Sequence, residues 1–64
     1  MNNTERLKLV QNILHRLYLV QRDIYTLCRN TDSEHIAWIE HAMSLLMRSM
    51  NNLRNEITGK DKIE

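Results

Sequence analysis

The stretch Asn30-Thr31-Asp32-Ser33-Glu34 is the one break between two long series of apolar residues. In each series the spacing alternates between three and four residues without a miss, which is the pattern of helices packed side by side. The series before the break is Val10, Ile13, Leu17, Val20, Ile24 and Leu27. The series after it is Ile36, Ile39, Met43, Leu46, Met50, Leu53 and Ile57. The sequence therefore predicts an all-α antiparallel hairpin of two long helices.

Capping residues mark the ends of both predicted helices. At the break, the Thr31 hydroxyl and the Glu34 carboxylate match a capping box, and Ser33 is the alternative cap. Asn30 tolerates the left-handed conformation that often ends a helix, and Gly59 stands where the second helix is expected to stop. The candidate caps of the first helix are Asn2, Asn3 and Thr4. The expected layout is one domain over residues 1–64, with helix 1 at about 4–29, a turn at 30–33, helix 2 at about 32–58 and a tail at 59–64.

The small size of the chain makes self-association the expected source of stability. Below about 70–80 residues a single core rarely contributes more than about 3–5 kcal/mol without disulfides, a metal or a second subunit. The chain has 64 residues and one cysteine, so it cannot form an internal disulfide. Two helices alone leave half of each series facing water, and further apolar residues widen both series: Leu7, Leu14, Cys28 and Met47. A homodimer that closes a four-helix bundle, with coiled-coil packing, is the predicted assembly.

Composition and charge exclude several classes of protein and leave the partner open. The longest apolar run, at 17–20, is too short to span a bilayer, and residues 1–5 lack the basic and apolar regions of a signal peptide. These observations predict no membrane partner and a cytoplasmic location, where a free thiol stays reduced. The net charge is only +1, but residues 4–29 carry five basic and two acidic side chains, whereas residues 30–58 carry two basic and four acidic ones. Helix 1 is therefore the more basic helix.

Residues with catalytic or metal-binding chemistry are few and poorly spaced. Cys28, with His35 across the hairpin, lacks the enclosed site that a catalytic thiol requires, and we interpret it as a small apolar residue at the edge of the core. His35 and His41 are six residues apart and His15 is on the other helix, so no pair has the spacing of a helical zinc site. The sequence predicts no enzyme activity, no metal site and no cofactor.

A stripe of basic residues with interleaved tyrosines follows the outside of helix 1. This basic stripe contains no acid and consists of Lys8, Gln11, His15, Tyr18, Arg22, Tyr25 and Arg29. Arginine and lysine neutralise phosphates and tyrosine stacks on exposed bases, so the basic stripe is a candidate RNA- or DNA-binding surface. The alternative is that these side chains only keep the outer face in water. In length and hairpin layout the chain resembles the Rop family of plasmid regulators, helical hairpins that dimerise and bind RNA through their first helices; the resemblance covers architecture, and no residue role is carried over from it.

The only tryptophan lies outside the apolar series of helix 2. Trp38 and Leu45 are one heptad apart, His41 and Arg48 lie beside them, and Leu19 adds an apolar position on helix 1. Because exposed tryptophan is a favoured anchor of interfaces, these five residues are the predicted contact surface for an unidentified protein partner. The alternative is that Trp38 packs against a second subunit or onto its own helix. The sequence thus favours a small non-enzymatic regulatory or adaptor protein that binds another protein. A nucleic-acid-binding regulator is the second hypothesis, and a structural subunit that completes a larger helical assembly is the third.

Overall fold

The computed structural model describes residues 1–59, which form two α-helices joined by a short connection. Helix α1 spans Asn3–Asn30 and helix α2 spans Glu34–Gly59, and the two pack against each other as an antiparallel hairpin. The predicted all-α hairpin is therefore confirmed. Gly59 is still helical rather than the residue after the helix. The rest of the predicted tail, residues 60–64, lies outside the described residues.

A reciprocal pair of hydrogen bonds starts helix α1. The Asn2 side-chain oxygen accepts a hydrogen bond from the backbone N–H of Glu5 at 2.9 Å, and Glu5 Oε1 accepts one from the backbone N–H of Asn2 at 3.0 Å. This is a capping box, which satisfies two backbone donors that the first helical turn leaves free. Asn2 is thus the cap among the three candidates. The Glu5 carboxylate also lies at the positive end of the helix dipole, while Arg29 lies in the last turn.

The connection between the helices uses an extended residue and a serine cap. Helix α1 continues through Asn30 and ends because Thr31 is extended, with φ −135° and ψ 129°. Asn30 does not take the left-handed conformation expected for it, since no described residue has a positive φ. Its side-chain amide instead donates to the Thr26 carbonyl oxygen at 2.7 Å. Ser33 Oγ accepts from the backbone N–H of His35 at 3.2 Å, so Ser33 rather than Thr31 caps helix α2.

The two helices bury only a narrow strip of side chains between them. The buried side chains are Val10, Leu14 and Met43. Half-buried side chains extend the strip to Leu7, Leu17, Gln21, Ile24 and Cys28 on α1, and to Ile36, Met47, Met50, Asn51, Arg54 and Ile57 on α2. We call this strip the seam. On α1 its members keep the alternating spacing of three and four from one end to the other, as expected for helices that pack along a single line of contact.

Six of the thirteen predicted core positions lie outside the seam. Every second member of each apolar series is exposed, namely Ile13, Val20 and Leu27 on α1 and Ile39, Leu46 and Leu53 on α2. Leu14, which the sequence assigned only to the widening of the series, is instead one of the two least exposed side chains, at 4%. The physical reason is that one neighbouring helix covers one strip of a helix surface, so it covers one of the two apolar positions in each heptad together with a flanking position.

Candidate binding surfaces

The hairpin has two unlike faces, one on each side of the seam. Counting 3.6 residues per turn, the exposed members of the α1 series lie about 90° from the middle of the seam and those of the α2 series about 70°. Because the helices are antiparallel, both rows fall on the same side of the hairpin. We call this side the apolar face, and it consists of Ile13, Val20, Leu27, Ile39, Leu46 and Leu53. A groove of about 400 Å³ at the open end joins the two helices here, since Leu9 of α1 and Leu53 of α2 both line it.

The basic stripe faces the other side of the hairpin. All seven of its members are exposed, so they form one accessible strip along α1. Tyr18 and Tyr25 lie about 60° from the middle of the seam, in the direction away from the apolar face. A smaller groove of about 210 Å³ supports this placement, because Tyr25 lines it together with Glu40 and Ser44 of α2. The structure therefore places an acidic residue beside one end of the basic stripe.

Trp38 projects into solvent from the outer side of helix α2. It is 70% exposed, far more than any other large apolar side chain of the described residues except the terminal Met1. Helical periodicity places it nearly opposite the seam, in a row that we call the Trp38 surface: Trp38, His41, Leu45 and Arg48, all exposed. Leu19 lies nearly opposite the seam on α1, at the other edge of the hairpin. The structure therefore brings four of the five predicted contact residues together and separates Leu19 from them.

Cys28 has an acidic residue as its hydrogen-bond partner, where the sequence suggested His35 across the hairpin. The Cys28 thiol donates a hydrogen bond to Glu40 Oε2 at 3.1 Å. Partial burial raises the pKa of the Cys28 thiol, and the hydrogen bond to Glu40 and the negative charge of Glu40 raise this pKa further. The thiolate is the nucleophilic form of cysteine, so a thiol held in its protonated form reacts slowly. The arrangement does not favour covalent catalysis by Cys28.

Replacing Glu40 by glutamine is expected to make Cys28 more reactive. The substitution removes the negative charge that raises the thiol pKa, so the pKa falls and the thiolate fraction at pH 8 increases. The rate of alkylation by iodoacetamide at pH 8 should rise severalfold, and its pH profile should shift to lower pH. The pKa remains above the ordinary value, because the burial of the thiol is unchanged.

The control for this measurement is Glu56→Gln, which removes a carboxylate from the far end of α2 and should leave the alkylation rate as it is. An unchanged rate in Glu40→Gln would mean that the hydrogen bond between Cys28 and Glu40 does not persist in solution.

Comparisons with known proteins leave the function to be argued from these surfaces. No family model matches the chain, and neither a curated protein nor a solved structure matches it. Over residues 1–59, no three His, Cys, Asp or Glu side chains are grouped so that they could hold a metal ion. In the same part of the chain, neither helix has a stretch long and apolar enough to cross a bilayer.

Sequence reasoning did not separate the apolar face from the core. The members of this face recur every seven residues on each helix, but so do the seam members Val10, Leu17 and Ile24. The heptad pattern alone does not say which of its two apolar positions the neighbouring helix covers. The residues at both positions together fit a single core series equally well.

Proposed function

We propose that the chain is a small non-enzymatic regulatory or adaptor protein of the cytoplasm, which works as a homodimer and binds another protein through the Trp38 surface. The exposure of Trp38 is the observation that carries this proposal. An indole in water makes little contribution to the stability of the hairpin, and tryptophan is enriched among the residues that dominate binding energies. Trp38 thus contributes little to the stability of the fold, although it is of the residue type that contributes most to binding energies at interfaces.

The chemistry of the Trp38 surface indicates the kind of partner that it fits. Its four residues follow the spacing three, four, three, which places them in one row along the helix. This is the arrangement of a helix that lays apolar anchors into a groove of another protein. Trp38 and Leu45 are the two anchors, and His41 and Arg48 bring hydrogen-bond donors and positive charge. The expected partner therefore has an apolar groove with acidic residues on its rim.

Replacing Trp38 by alanine is expected to abolish capture of this partner while the helices stay intact. Loss of a tryptophan anchor typically costs at least about 2 kcal/mol, which weakens binding by at least about 30-fold. The measurement is affinity capture from a lysate of the source cells on immobilised protein, followed by titration of the captured protein. Circular dichroism at 222 nm checks that helicity is unchanged.

The matched control is Tyr18→Ala, which removes another exposed aromatic side chain, but from the basic stripe of the other helix. Capture should survive this change. Equal capture by wild type and Trp38→Ala would show that the Trp38 surface is not the binding surface.

RNA or DNA binding through the basic stripe is the second candidate function. The observation in its favour is that all seven members are exposed as one strip, with both tyrosines accessible for stacking. Glu40 beside Tyr25 weakens the positive potential at that end. Binding that falls steeply with salt, and that is lost in Arg22→Ala/Arg29→Ala but kept in Trp38→Ala, would favour this candidate over protein binding. The third candidate, a structural subunit of a larger assembly, would need a different chain to cover the apolar face.

A further inference from the structure

We infer that the apolar face is the surface on which a second copy of this chain docks, closing a four-helix bundle in which α1 lies against α1 of the other copy. This inference rests on the homodimer in the proposed function and names the surface that forms it. The six members of the apolar face are 38–47% exposed in the single hairpin, and none of them carries charge.

The apolar face is complementary to itself. Each helix contributes three members spaced seven residues apart, centred on Val20 in α1 and on Leu46 in α2. A two-fold axis that passes between two Val20 side chains brings Ile13 of each copy opposite Leu27 of the other. The α2 rows pair in the same way about Leu46. Every neighbouring pair of helices is then antiparallel, as in other bundles that close by a two-fold axis.

The exposed area of the chain matches the size of such an interface. A compact chain of 7.7 kDa is expected to expose about 4,300 Å², whereas this chain exposes 5337 Å². The excess of about 1,000 Å² is close to the area of about 800 Å² that each partner buries in a standard protein interface. A second copy therefore covers the amount of surface that one hairpin leaves open.

Charged residues at the edge of the apolar face select the arrangement of the two copies. Arg16 and Asp23 are exposed, lie on the outer edge of the α1 row and are one heptad apart. With Val20 at the two-fold axis, Arg16 of each copy lies opposite Asp23 of the other, so two pairs of opposite charge form. If α1 instead lay against α2 of the other copy, the same two residues would face the edge that carries Trp38 and Leu45. By helical periodicity, the residues of that edge level with Arg16 are Ser49 and Asn52, and those level with Asp23 are Ala42 and Leu45. None of the four is charged, so the observations favour α1 against α1.

The first test compares two neighbouring leucines with equal exposure. Leu45 and Leu46 are each 45% exposed in the single hairpin, but only Leu46 lies on the apolar face. We expect Leu46→Glu to raise the dimer Kd at least about 100-fold, because it places two carboxylates at the centre of an apolar interface. Leu45→Glu should leave the mass of the dimer unchanged. The measurement is sedimentation equilibrium from about 1 to about 200 µM protein, with helicity recorded for each variant.

The outcomes of this comparison separate the inference from the proposed function. Loss of the dimer in Leu46→Glu alone supports the inference, and so does loss of helicity in Leu46→Glu alone, since the two leucines are equally exposed within one hairpin. A wild-type monomer, a wild-type tetramer, or equal masses of the two variants would overturn it. If Leu45→Glu stays dimeric and also captures the partner protein as well as wild type does, the proposed use of the Trp38 surface fails while the dimer surface stands.

The second test is a charge exchange that reports the arrangement of the helices. Arg16→Asp and Asp23→Arg should each weaken the dimer by about fivefold, because each creates two pairs of like charge at the edge of the interface. The double variant Arg16→Asp/Asp23→Arg should recover the wild-type Kd. A double variant that is no better than the sum of the single changes would overturn the α1 to α1 arrangement.

Discussion

Replacing Leu14 by alanine is expected to remove most of the stability of the hairpin. Leu14 and Val10 are the two least exposed apolar side chains of the described residues, and Met43 is the third buried one. Loss of a buried leucine typically lowers the free energy of unfolding by about 2–5 kcal/mol, through lost burial and the cavity that remains. A core of this size contributes about 3–5 kcal/mol in total. The variant should therefore be largely unfolded at 25 °C, or should unfold at a much lower urea concentration than wild type.

The control for this prediction is Leu19→Ala, which makes the same chemical change at an exposed position opposite the seam. Its free energy of unfolding should stay within about 0.5 kcal/mol of wild type. Urea titration followed by circular dichroism at 222 nm measures both variants. If Leu14→Ala and Leu19→Ala unfolded at the same urea concentration, the position of Leu14 in the seam would be contradicted.

A hundredfold dilution of the wild-type protein is expected to lower its Tm by about 10 °C, for example between about 100 µM and about 1 µM. The reason is that three buried side chains give one hairpin little stability of its own, so docking of the second copy on the apolar face supplies much of the rest. By mass action, a hundredfold dilution lowers the free energy of unfolding of the dimer by about 2.7 kcal/mol. Dividing this value by the unfolding entropy of the two chains together gives the expected fall in Tm.

Leu46→Glu is the control for the dilution experiment, because a hairpin without its second copy unfolds as a single chain. The Tm of any folded fraction of this variant should not change with concentration. Scanning calorimetry or circular dichroism over the same range of concentrations measures both proteins. A wild-type Tm that stays constant on dilution would show that the folded hairpin does not depend on self-association.

The sequence predicted the surface positions of the candidate sites better than their grouping. The seven members of the basic stripe recur on one helix, so periodicity alone places them together, and all of them are exposed. Leu19 shares exposure with Trp38 but lies on the other helix, and no local pattern states how two helices are turned relative to each other. The hydrogen bond between Cys28 and Glu40 was not predicted for the same reason, since it joins residues of different helices across the seam.

The sequence left open which of two residues caps helix α2. Both Thr31 and Ser33 have hydroxyls that can cap a helix, and the sequence around them fits either choice. In the structure Thr31 is the residue that ends α1, and α2 begins at Glu34, so Ser33 is the residue directly before α2 and caps it. Capping by Ser33 instead of Thr31 moves the start of α2 to Glu34 and leaves the fold unchanged, because the exact end of a helix has little effect on how it packs.

By itself the sequence determined the number of helices, their approximate limits and their antiparallel arrangement. These properties follow from local interactions: apolar residues at a helical period, capping side chains and a break of a few residues. Only the tertiary structure decided which apolar residues form the seam and which form the apolar face. Burial depends on how each helix is rotated toward its neighbour, and a series that satisfies two neighbours does not reveal which of them lies within the same chain. Leu45 and Leu46 show this most clearly, because they are adjacent, identical and equally exposed, yet they belong to different surfaces.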